Sequence, residues 1–260
     1  MSSPTDTGAR DEQRLWVVPA NDLEALEIRN LLASQEEKFC VSAQPWGATW
    51  SGLEPEIRDA VKCFRAQHPA GEIFGIELGG RNEFGAKDID HHLYSDGDRR
   101  SPLSSLEQVA AVLGAELSHW QKLVAANDRG YIPAMIAAGA SAEEVTRIRA
   151  ADRAAQGLTA GDEADAERDI RERSEWRGCK VLVHCVHRPT SAHSDRLSAA
   201  GEILLAGPAE LCYFGPRHYA LAAMNFREDH WSGGSAASGY FGVKNPSPAT
   251  QECVVQFFWS

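Results

Sequence analysis

The first half of the chain alternates short apolar segments with amphipathic ones. Residues 15–19 have the continuous apolar pattern of a buried strand, residues 20–22 form a polar turn, and residues 23–32 space their leucines as on a helix. Patterns of the same two kinds continue at residues 39–42, 53–64 and 72–78. This alternation is typical of a doubly wound, mainly parallel sheet, because each crossover between parallel strands packs a helix on one face. We therefore predict an α/β fold for this half.

A dense group of reactive side chains follows in Lys87-Asp88-Ile89-Asp90-His91-His92. In an extended segment alternate side chains share a face, so Asp88, Asp90 and His92 are predicted to project together and Ile89 in the opposite direction. Carboxylates and imidazoles grouped in this way can bind a metal or carry protons. A solvated polar strand end and a pH-sensitive salt-bridge cluster are the alternatives, and a short motif does not decide among the three.

Further acidic residues stand where predicted strands and helices end. Asp22 and Glu77 follow two of the strand patterns, and Asp128 follows a helical pattern at residues 115–126. Ligands bind at the carboxyl ends of parallel strands, which favours a common site. Each acid also has a simpler interpretation: Asp22 can cap the next helix, and Asp128 can be an exposed residue before the helix-ending Gly130. Their recurrence in the chain favours the site.

The second half begins with a helical connection and continues as a small α/β unit. Residues 141–173 are rich in Ala, Glu and Arg, and their pattern predicts two capped helices. Strands are predicted at residues 180–186, 210–214, 219–226 and 252–259, with a helix at residues 196–205. His184 is interpreted as a core histidine. The glycine-rich residues 231–242 form either a flexible turn or a loop whose amides bind an anion.

Bulk properties exclude some functions. A net charge of −11 argues against binding long nucleic acid, which needs a broad cationic surface, but not against a small phosphorylated substrate. The six cysteines have no Cys-x-x-Cys spacing, which argues against a zinc ribbon and a disulfide framework. With no run of 18 apolar residues and no apolar leader, we predict no membrane contact and a reduced, cytoplasmic protein. Four arginines are candidate phosphate contacts: Arg188, Arg196, Arg217 and Arg227.

The triplet Asp90-His91-His92, in this order of acidic motifs, resembles the DHH phosphoesterase superfamily, of which the chain would be a divergent member. A Ser and a Glu-bearing helix commonly follow the family triplet, as at residues 104–109 here. The family's smaller DHHA1 domain carries a Gly-Gly-Gly-His motif, and Ser235 stands where that motif has His. The other family motifs, single or paired acids after a strand or helix, are matched in order by Asp22 and Glu24, by Glu77, and by Asp128.

The resemblance implies a site with two hard divalent cations, Mn²⁺ or Mg²⁺. The implied metal ligands are Asp22, Glu24, Glu77, Asp90, His91 and Asp128. The implied catalytic residues are Asp90 and His92, the latter near the scissile phosphate, with Asp88 behind them. The implied substrate contacts are Gly233, Gly234, Ser235 and Arg217. The implied organisation is a disordered lead-in (1–14), a DHH-like domain (15–138), a helical linker (139–176) and a DHHA1-like domain (177–260).

The implied reaction is hydrolysis of a small phosphate ester, phosphodiester or phosphoanhydride by metal-bound hydroxide in the cleft between the domains. Nucleotides and short oligonucleotides are candidate substrates. The family usually has Asp where Glu24 and Glu77 stand, and an extra methylene shifts a ligand oxygen enough to alter a metal site. The alternative function is therefore a DHH-like module that binds a nucleotide or phosphate, or regulates a partner, without turnover. A homodimer is compatible with these patterns, which do not determine the oligomeric state.

Overall fold

The computed structural model describes residues 13–95, 97–235 and 238–260, with the backbone alone for Ser235. The strands of the described residues are Arg14–Pro19 (β1), Lys38–Ser42 (β2), Glu72–Ile76 (β3), Lys87–Ile89 (β4), Leu93–Tyr94 (β5), Gly97–Asp98 (β6), Ser174–Arg177 (β7), Lys180–His184 (β8), Glu202–Ala206 (β9), Glu210–Gly215 (β10), His230–Ser235 (β11) and Ser238–Lys244 (β12). The helices are Leu23–Ser34 (α1), Pro55–Gln67 (α2), Ser105–Leu113 (α3), His119–Ala137 (α4), Ala142–Ala155 (α5), Ala160–Arg173 (α6), Ser191–Arg196 (α7), His218–Ala222 (α8) and Pro248–Trp259 (α9).

The N-terminal sheet has four parallel strands in the order β2-β1-β3-β4. Both of its faces are covered: one core contains Trp16 stacked on Phe74 and packs α1, α3 and α4, while the other is built around Trp50 and packs α2. The strands are apolar on both faces because neither face meets water. This arrangement confirms the predicted doubly wound α/β fold, and it aligns the carboxyl ends of β1, β3 and β4 at one edge.

The second sheet is mixed and has eight strands in the order β6-β5-β11-β12-β10-β9-β8-β7. Within it β8 and β9 are parallel, and the other neighbouring pairs are antiparallel. Its core, around Tyr213, Phe241 and Phe258, is covered by α8 and α9. Although β5 and β6 follow the N-terminal sheet directly in the chain, they pair with this second sheet through β11.

Local sequence sets most helix boundaries. Ser104, Ser141 and Thr159 each close a capping box at the start of α3, α5 and α6, which satisfies amides that have no partner inside the helix. Helix α4 is interrupted at Gly130 and at Tyr131, which has a φ of 61°. The predicted helix end at Gly130 is therefore a break, after which the helix resumes to Ala137.

Several predicted elements of the C-terminal part are wrong. Residues 219–222 of the strand predicted at 219–226 lie in helix α8, and the rest of that segment is neither helix nor strand. Residues 252–259, also predicted as a strand, lie in α9, and the predicted helix at 196–205 is the end of α7 followed by β9. Short apolar runs satisfy helix and strand periodicity equally, and in α9 the Ser247 cap and Pro248 at the first turn favour the helix. The predicted core histidine, His184, is exposed and contacts Glu175 at 3.0 Å.

Three further predictions concern the chain as a whole. The predicted disordered segment 1–14 lies outside the described residues except for its last two, and Arg14 already begins β1. All six cysteines fall within the described residues and are unpaired. In the part of the chain that the structure describes, no helix combines the length and hydropathy needed to cross a bilayer.

Candidate metal centre

The strand ends of the N-terminal sheet converge on a buried group of acids and one imidazole. Glu24, Glu77, His91 and Asp128 each offer one ligand atom, and these atoms lie within 4.8 Å of one another. We call these four residues the central cluster. A second grouping within the same limit combines Glu77 and His91 with His92. The motifs named from the sequence thus meet in space.

Glu77 is held by an unusual backbone conformation. Its φ of 48° places a non-glycine residue in the left-handed region, which costs about 1–2 kcal/mol. Its amide donates to the Ile89 carbonyl at 2.9 Å, which ties the end of β3 to that of β4. Its carboxylate accepts from the Ser105 hydroxyl at 2.8 Å. These contacts aim the Glu77 carboxylate into the cluster.

Asp22 and Glu24 are positioned by helix ends. Asp22 caps α1, with Oδ1 accepting from the Ala25 amide at 2.8 Å. Glu24, in the first turn of α1, accepts from the Leu106 amide at 3.0 Å at the start of α3. The capping interpretation of Asp22 is therefore correct, although the residue also lines the cavity described below beside Glu24 and Asp128.

Buried ligand atoms without hydrogen-bond partners surround the centre. They are Glu24 Oε2, Asp90 Oδ2, His91 Nε2 and Asp128 Oδ2. His91 Nε2 and Asp128 Oδ2 are only 2.6 Å apart, in an orientation that makes no hydrogen bond. An unsatisfied buried polar atom costs about 1–3 kcal/mol, and three of these four belong to the central cluster, so they need a common partner. A divalent cation fits this donor set, because carboxylate oxygens with one imidazole suit Mn²⁺.

The pKa shifts report excess negative charge. Burial raises the pKa of Asp22 and of Glu24 well above their usual values, and the charges of Glu77 and Asp128 raise both further. Burial alone would lower the pKa of His91, but the Asp128 and Glu77 carboxylates outweigh it and raise that pKa well above 6.5. For Glu77 and Asp128, attraction to the two histidines exceeds the effect of burial and lowers the pKa. The raised pKa values favour protonation of Asp22, Glu24 and His91, and these protons offset part of the repulsion among the buried carboxylates.

Asp90, His92 and Tyr240 form a hydrogen-bonded chain between the two sheets. Asp90 Oδ1 accepts from the amides of His91 and His92, and it lies 2.7 Å from His92 Nδ1. His92 Nε2 lies 2.6 Å from the Tyr240 hydroxyl on β12. Burial, followed by the charges of Asp128 and Glu77, raises the pKa of Tyr240 well above 10, which keeps its hydroxyl protonated. Each ring nitrogen of His92 therefore has a hydrogen-bond partner, which holds the imidazole in one orientation.

A cavity of 480 Å³ adjoins the cluster. Asp22, Glu24 and Asp128 contribute one side of its wall, and Tyr240 and Trp46 contribute another. Trp46 packs edge-on against His92, with ring centroids 5.9 Å apart, and tilted against Trp231 at 4.7 Å. The volume lies within the range of small-molecule sites, and the lining combines carboxylates with aromatic side chains.

The Asp88 side chain does not lie with those of Asp90, His91 and His92 at the candidate centre. Its Oδ1 accepts from Trp50 Nε1 at 3.0 Å and from the Asn82 side chain at 3.2 Å, away from the cluster. The predicted shared face of Asp88, Asp90 and His92 is therefore wrong for Asp88. Strand β4 ends at Ile89, and the alternation of an extended segment stops with it. This turn of the backbone is also what brings His91 to the centre.

The predicted substrate contacts lie in two places. Gly233 and Gly234 belong to a β11–β12 hairpin, so the loop predicted at residues 231–242 is wrong; residues 236–237 and the Ser235 side chain are outside the described part. A Cβ on Gly233 would lie 2.5 Å from the Tyr240 hydroxyl and 2.9 Å from His92 Cδ2, so this glycine makes room for their contact. Arg217 is not brought to the centre: it donates to Glu202 and to two carbonyls of α9.

Sequence reasoning missed several groups around the site. Ser105 and Tyr240 contact predicted site residues. Both lie in stretches that the sequence singles out, residues 104–109 and 231–242, but neither is among the predicted site residues. Arg149, on α5, is buried and donates to Asn127 and Asp152 beside the cavity. An Arg and an Asp three residues apart inside the predicted helical connection, at 149 and 152, were the available signal.

Comparisons with known proteins leave the family open. No protein-family model matches the chain, and no curated protein matches it. A solved structure described as the pGpG-specific phosphodiesterase PggH from Vibrio cholerae aligns over 94% of this chain and 96% of that chain, with 12% sequence identity and a TM-score of 0.38. Membership of the DHH superfamily stays a prediction, and function has to be argued from the site.

Proposed function

We propose that the protein is a divalent-metal-dependent phosphohydrolase acting on a small phosphate ester, phosphodiester or phosphoanhydride. The observation that carries the proposal is the central cluster: three carboxylates and one imidazole, with buried unsatisfied ligand atoms, beside a cavity of 480 Å³. In such chemistry a pair of Mn²⁺ or Mg²⁺ ions supplies a water of lowered pKa and positive charge against the phosphoryl oxygens. Asp22, Glu24, Glu77, Asp90, His91 and Asp128 would hold them.

The charges around the cavity support a metal-dependent reaction. Among the described residues, the arginines that line the cavity are Arg149 and Arg188, and each is paired with a carboxylate, Arg149 with Asp152 and Arg188 with Glu210. A phosphate in the cavity would therefore meet carboxylates and paired cations. Favourable binding of an anion there requires additional positive charge, which bound cations provide.

The Asp90–His92–Tyr240 chain supplies a proton donor at the cavity wall. When His92 is neutral with its proton on Nδ1, Nε2 accepts from the Tyr240 hydroxyl. When His92 is protonated, Nε2–H donates to the tyrosine oxygen, which frees the Tyr240 O–H to donate to a phosphoryl oxygen. We propose that His92 acts on the substrate through this hydroxyl, because Tyr240 lines the cavity.

The test compares metal-dependent turnover in the parent and in Asp128→Asn. The metal-stripped protein is assayed with and without Mn²⁺ on a model diester, short oligonucleotides and pyrophosphate. We expect turnover only with metal, and at least about 100-fold less in Asp128→Asn, because the amide keeps the shape of the side chain but removes a charged ligand. Asp59→Asn, at an exposed position on α2, is the matched control and should equal the parent. No metal-dependent turnover on any substrate would refute the proposal.

The second candidate is a module that binds a phosphate or nucleotide without turnover. It is favoured by one observation: the site places Glu24 and Glu77 in the cluster where the resembled family usually has the shorter Asp. Elemental analysis after equilibration with Mn²⁺ distinguishes the two. Two ions per chain favour the enzyme, whereas one ion together with nucleotide binding and no turnover favours the module.

A further inference from the structure

A second group of potential metal ligands lies apart from the central cluster. Asp169 on α6, Cys185 just after β8 and His193 on α7 each offer one ligand atom, and these three atoms lie within 4.8 Å of one another. All three side chains are buried; the residues are exposed by only 1%, 6% and 1% respectively. No metal-binding spacing motif in the sequence connects the three positions.

His193 leaves one atom unexplained by ordinary packing. Its Nε2 is buried without a hydrogen-bond partner and lies 3.7 Å from Asp169 Oδ2. Asp169 needs no histidine, because its two oxygens already accept from the Arg173 guanidinium at 3.0 Å and from the Val186 amide at 3.1 Å. The Cys185 thiol is directed at the Val183 carbonyl only weakly, at 3.7 Å. The pocket thus contains an imidazole nitrogen and a thiol with no strong partner.

We propose that Asp169, Cys185 and His193 form a zinc site that is separate from the candidate metal centre. A thiolate, an imidazole and a carboxylate suit Zn²⁺, in contrast to the oxygen-rich central cluster. Tetrahedral bonds of about 2.0–2.3 Å separate neighbouring ligand atoms by roughly 3.3–3.7 Å, a spacing close to that of Nε2 and Oδ2. Three protein ligands leave a fourth position for water.

Proton positions must change when the ion binds. His193 Nδ1 accepts from the Thr190 amide at 3.2 Å, so the ring proton is on Nε2. Coordination through Nε2 moves this proton to Nδ1, which gives up the hydrogen bond from the Thr190 amide and donates instead to the Thr190 hydroxyl, also 3.2 Å away. The Cys185 thiol loses its proton to water, since the thiolate is the ligand form. The site therefore gains a dication and releases one proton.

The position of the site suggests what the ion does. Helix α7 also lines the cavity, through Ser191 and Ser194, while His193 faces the opposite direction towards α6 and β8. A metal that joins α6, β8 and α7 would brace this wall of the cavity. The role is structural and is independent of whether the candidate metal centre turns over substrate.

Cobalt substitution tests the proposal, because a cysteine bound to Co²⁺ gives a near-ultraviolet charge-transfer band that oxygen and nitrogen ligands do not give. The metal-stripped full-length protein is titrated with Co²⁺. We expect the band in the parent, in Asp128→Asn and in Cys40→Ser, a half-buried cysteine of the other sheet, but not in Cys185→Ser. Zn²⁺ affinity should fall by more than about tenfold in His193→Gln.

Two outcomes would overturn the proposal: no thiolate band in the parent, or a band of equal strength in Cys185→Ser. Far-ultraviolet circular dichroism of the metal-free variants checks that they fold. If Cys185→Ser does not fold, alkylation of the parent decides the matter. One equivalent of Zn²⁺ should protect Cys185 in peptide mapping by mass spectrometry, and labelling at the metal-free rate would contradict the site.

Discussion

At the residue scale, backbone conformation and contacts between residues distant in the chain place the side chains of the candidate centre. Residue type and order in the sequence name Asp90, His91 and Asp128 as candidates. What brings His91 beside Asp128 is the end of β4 at Ile89, which no periodicity indicates. The left-handed conformation of Glu77 is equally invisible in the sequence, because it results from contacts with Ile89 and Ser105 that are distant in the chain.

Replacing Tyr240 by Phe should impair turnover without weakening metal binding. The substitution keeps the ring but removes the hydroxyl 2.6 Å from His92 Nε2, so the buried nitrogen loses its partner and the cavity loses a proton donor. We expect kcat to fall by about tenfold or more, with Mn²⁺ affinity unchanged. Tyr219→Phe is the matched control, since its hydroxyl donates to the Gly234 carbonyl and not to His92. Equal kcat in Tyr240→Phe and the parent would contradict the proposed role of the hydrogen bonds that link Asp90, His92 and Tyr240.

Gly233→Ala should displace His92. The new Cβ would lie 2.5 Å from the Tyr240 hydroxyl and 2.9 Å from His92 Cδ2, closer than packed carbon atoms allow. Overpacking of this kind costs about 1–3 kcal/mol. We expect a lower melting temperature and a shifted ¹⁵N signal of the His92 ring. Gly79→Ala serves as control because its Cβ would meet nothing nearer than 3.6 Å. A Gly233→Ala protein as stable as Gly79→Ala would contradict the prediction, because it would show that the hairpin shifts to accommodate the methyl group without loss of stability.

At the scale of elements, capped helices and buried strands could be predicted, whereas short apolar segments could not. The capping boxes at Ser104 and Ser141 indicate the starts of α3 and α5 from the local sequence alone. By contrast, α8, α9 and the β11–β12 hairpin depend on which neighbours cover them. The two helices predicted in the connection are confirmed by α5 and α6, whereas the buried Arg149 on α5 was not predicted.

Arg149→Met should destabilise the contacts among four helices. From α5, Arg149 donates to Asn127 on α4 and Asp195 on α7, and its partner Asp152 accepts from the Leu23 amide on α1. Removing the guanidinium leaves the buried Asp152 without its ionic partner, although Asp195 keeps Arg153. Breaking a buried pair in this way costs about 3–5 kcal/mol. Urea denaturation should show this loss in the free energy of unfolding. Arg171→Met, at an exposed position of α6, should change it by less than about 1 kcal/mol. Similar losses in both variants would refute the special role of Arg149.

At the scale of the whole molecule, the two halves share more than a linker. Strands β5 and β6 leave the N-terminal sheet and pair with β11 of the second sheet, and the Asp90–His92–Tyr240 chain crosses the same boundary. The division at residue 138 stays a prediction from the sequence, and the pairing of β5 with β11 and the contact of His92 with Tyr240 cross it. Such a crossing cannot be predicted from periodicity, because β5 and β6 are two residues each. It makes the cavity wall dependent on both sheets.

Because several buried carboxylates lie close together beside the cavity, protons and metal should compete across the neutral pH range. In the metal-free protein the folded-state pKa of His91 lies above its unfolded value of 6.5. A raised pKa adds stability that is complete below the unfolded value and is lost as pH rises through the folded one. The raised pKa values of Asp22 and Glu24 act in the same direction, because both carboxyls are easier to ionise in the unfolded chain.

We therefore expect the melting temperature of the metal-free protein to fall as pH rises above about 6.5, and saturating Mn²⁺ to remove most of that fall. Mn²⁺ affinity should rise by up to about tenfold per pH unit for each proton displaced. Calorimetric titration at several pH values in buffers of different ionisation enthalpy measures both the affinity and the protons released. His91→Gln should bind more weakly and release fewer protons, whereas His119→Gln, at an exposed position of α4, should match the parent. Affinity that does not change with pH would mean that the metal displaces no protons, and the acids at the strand ends would then not be its ligands.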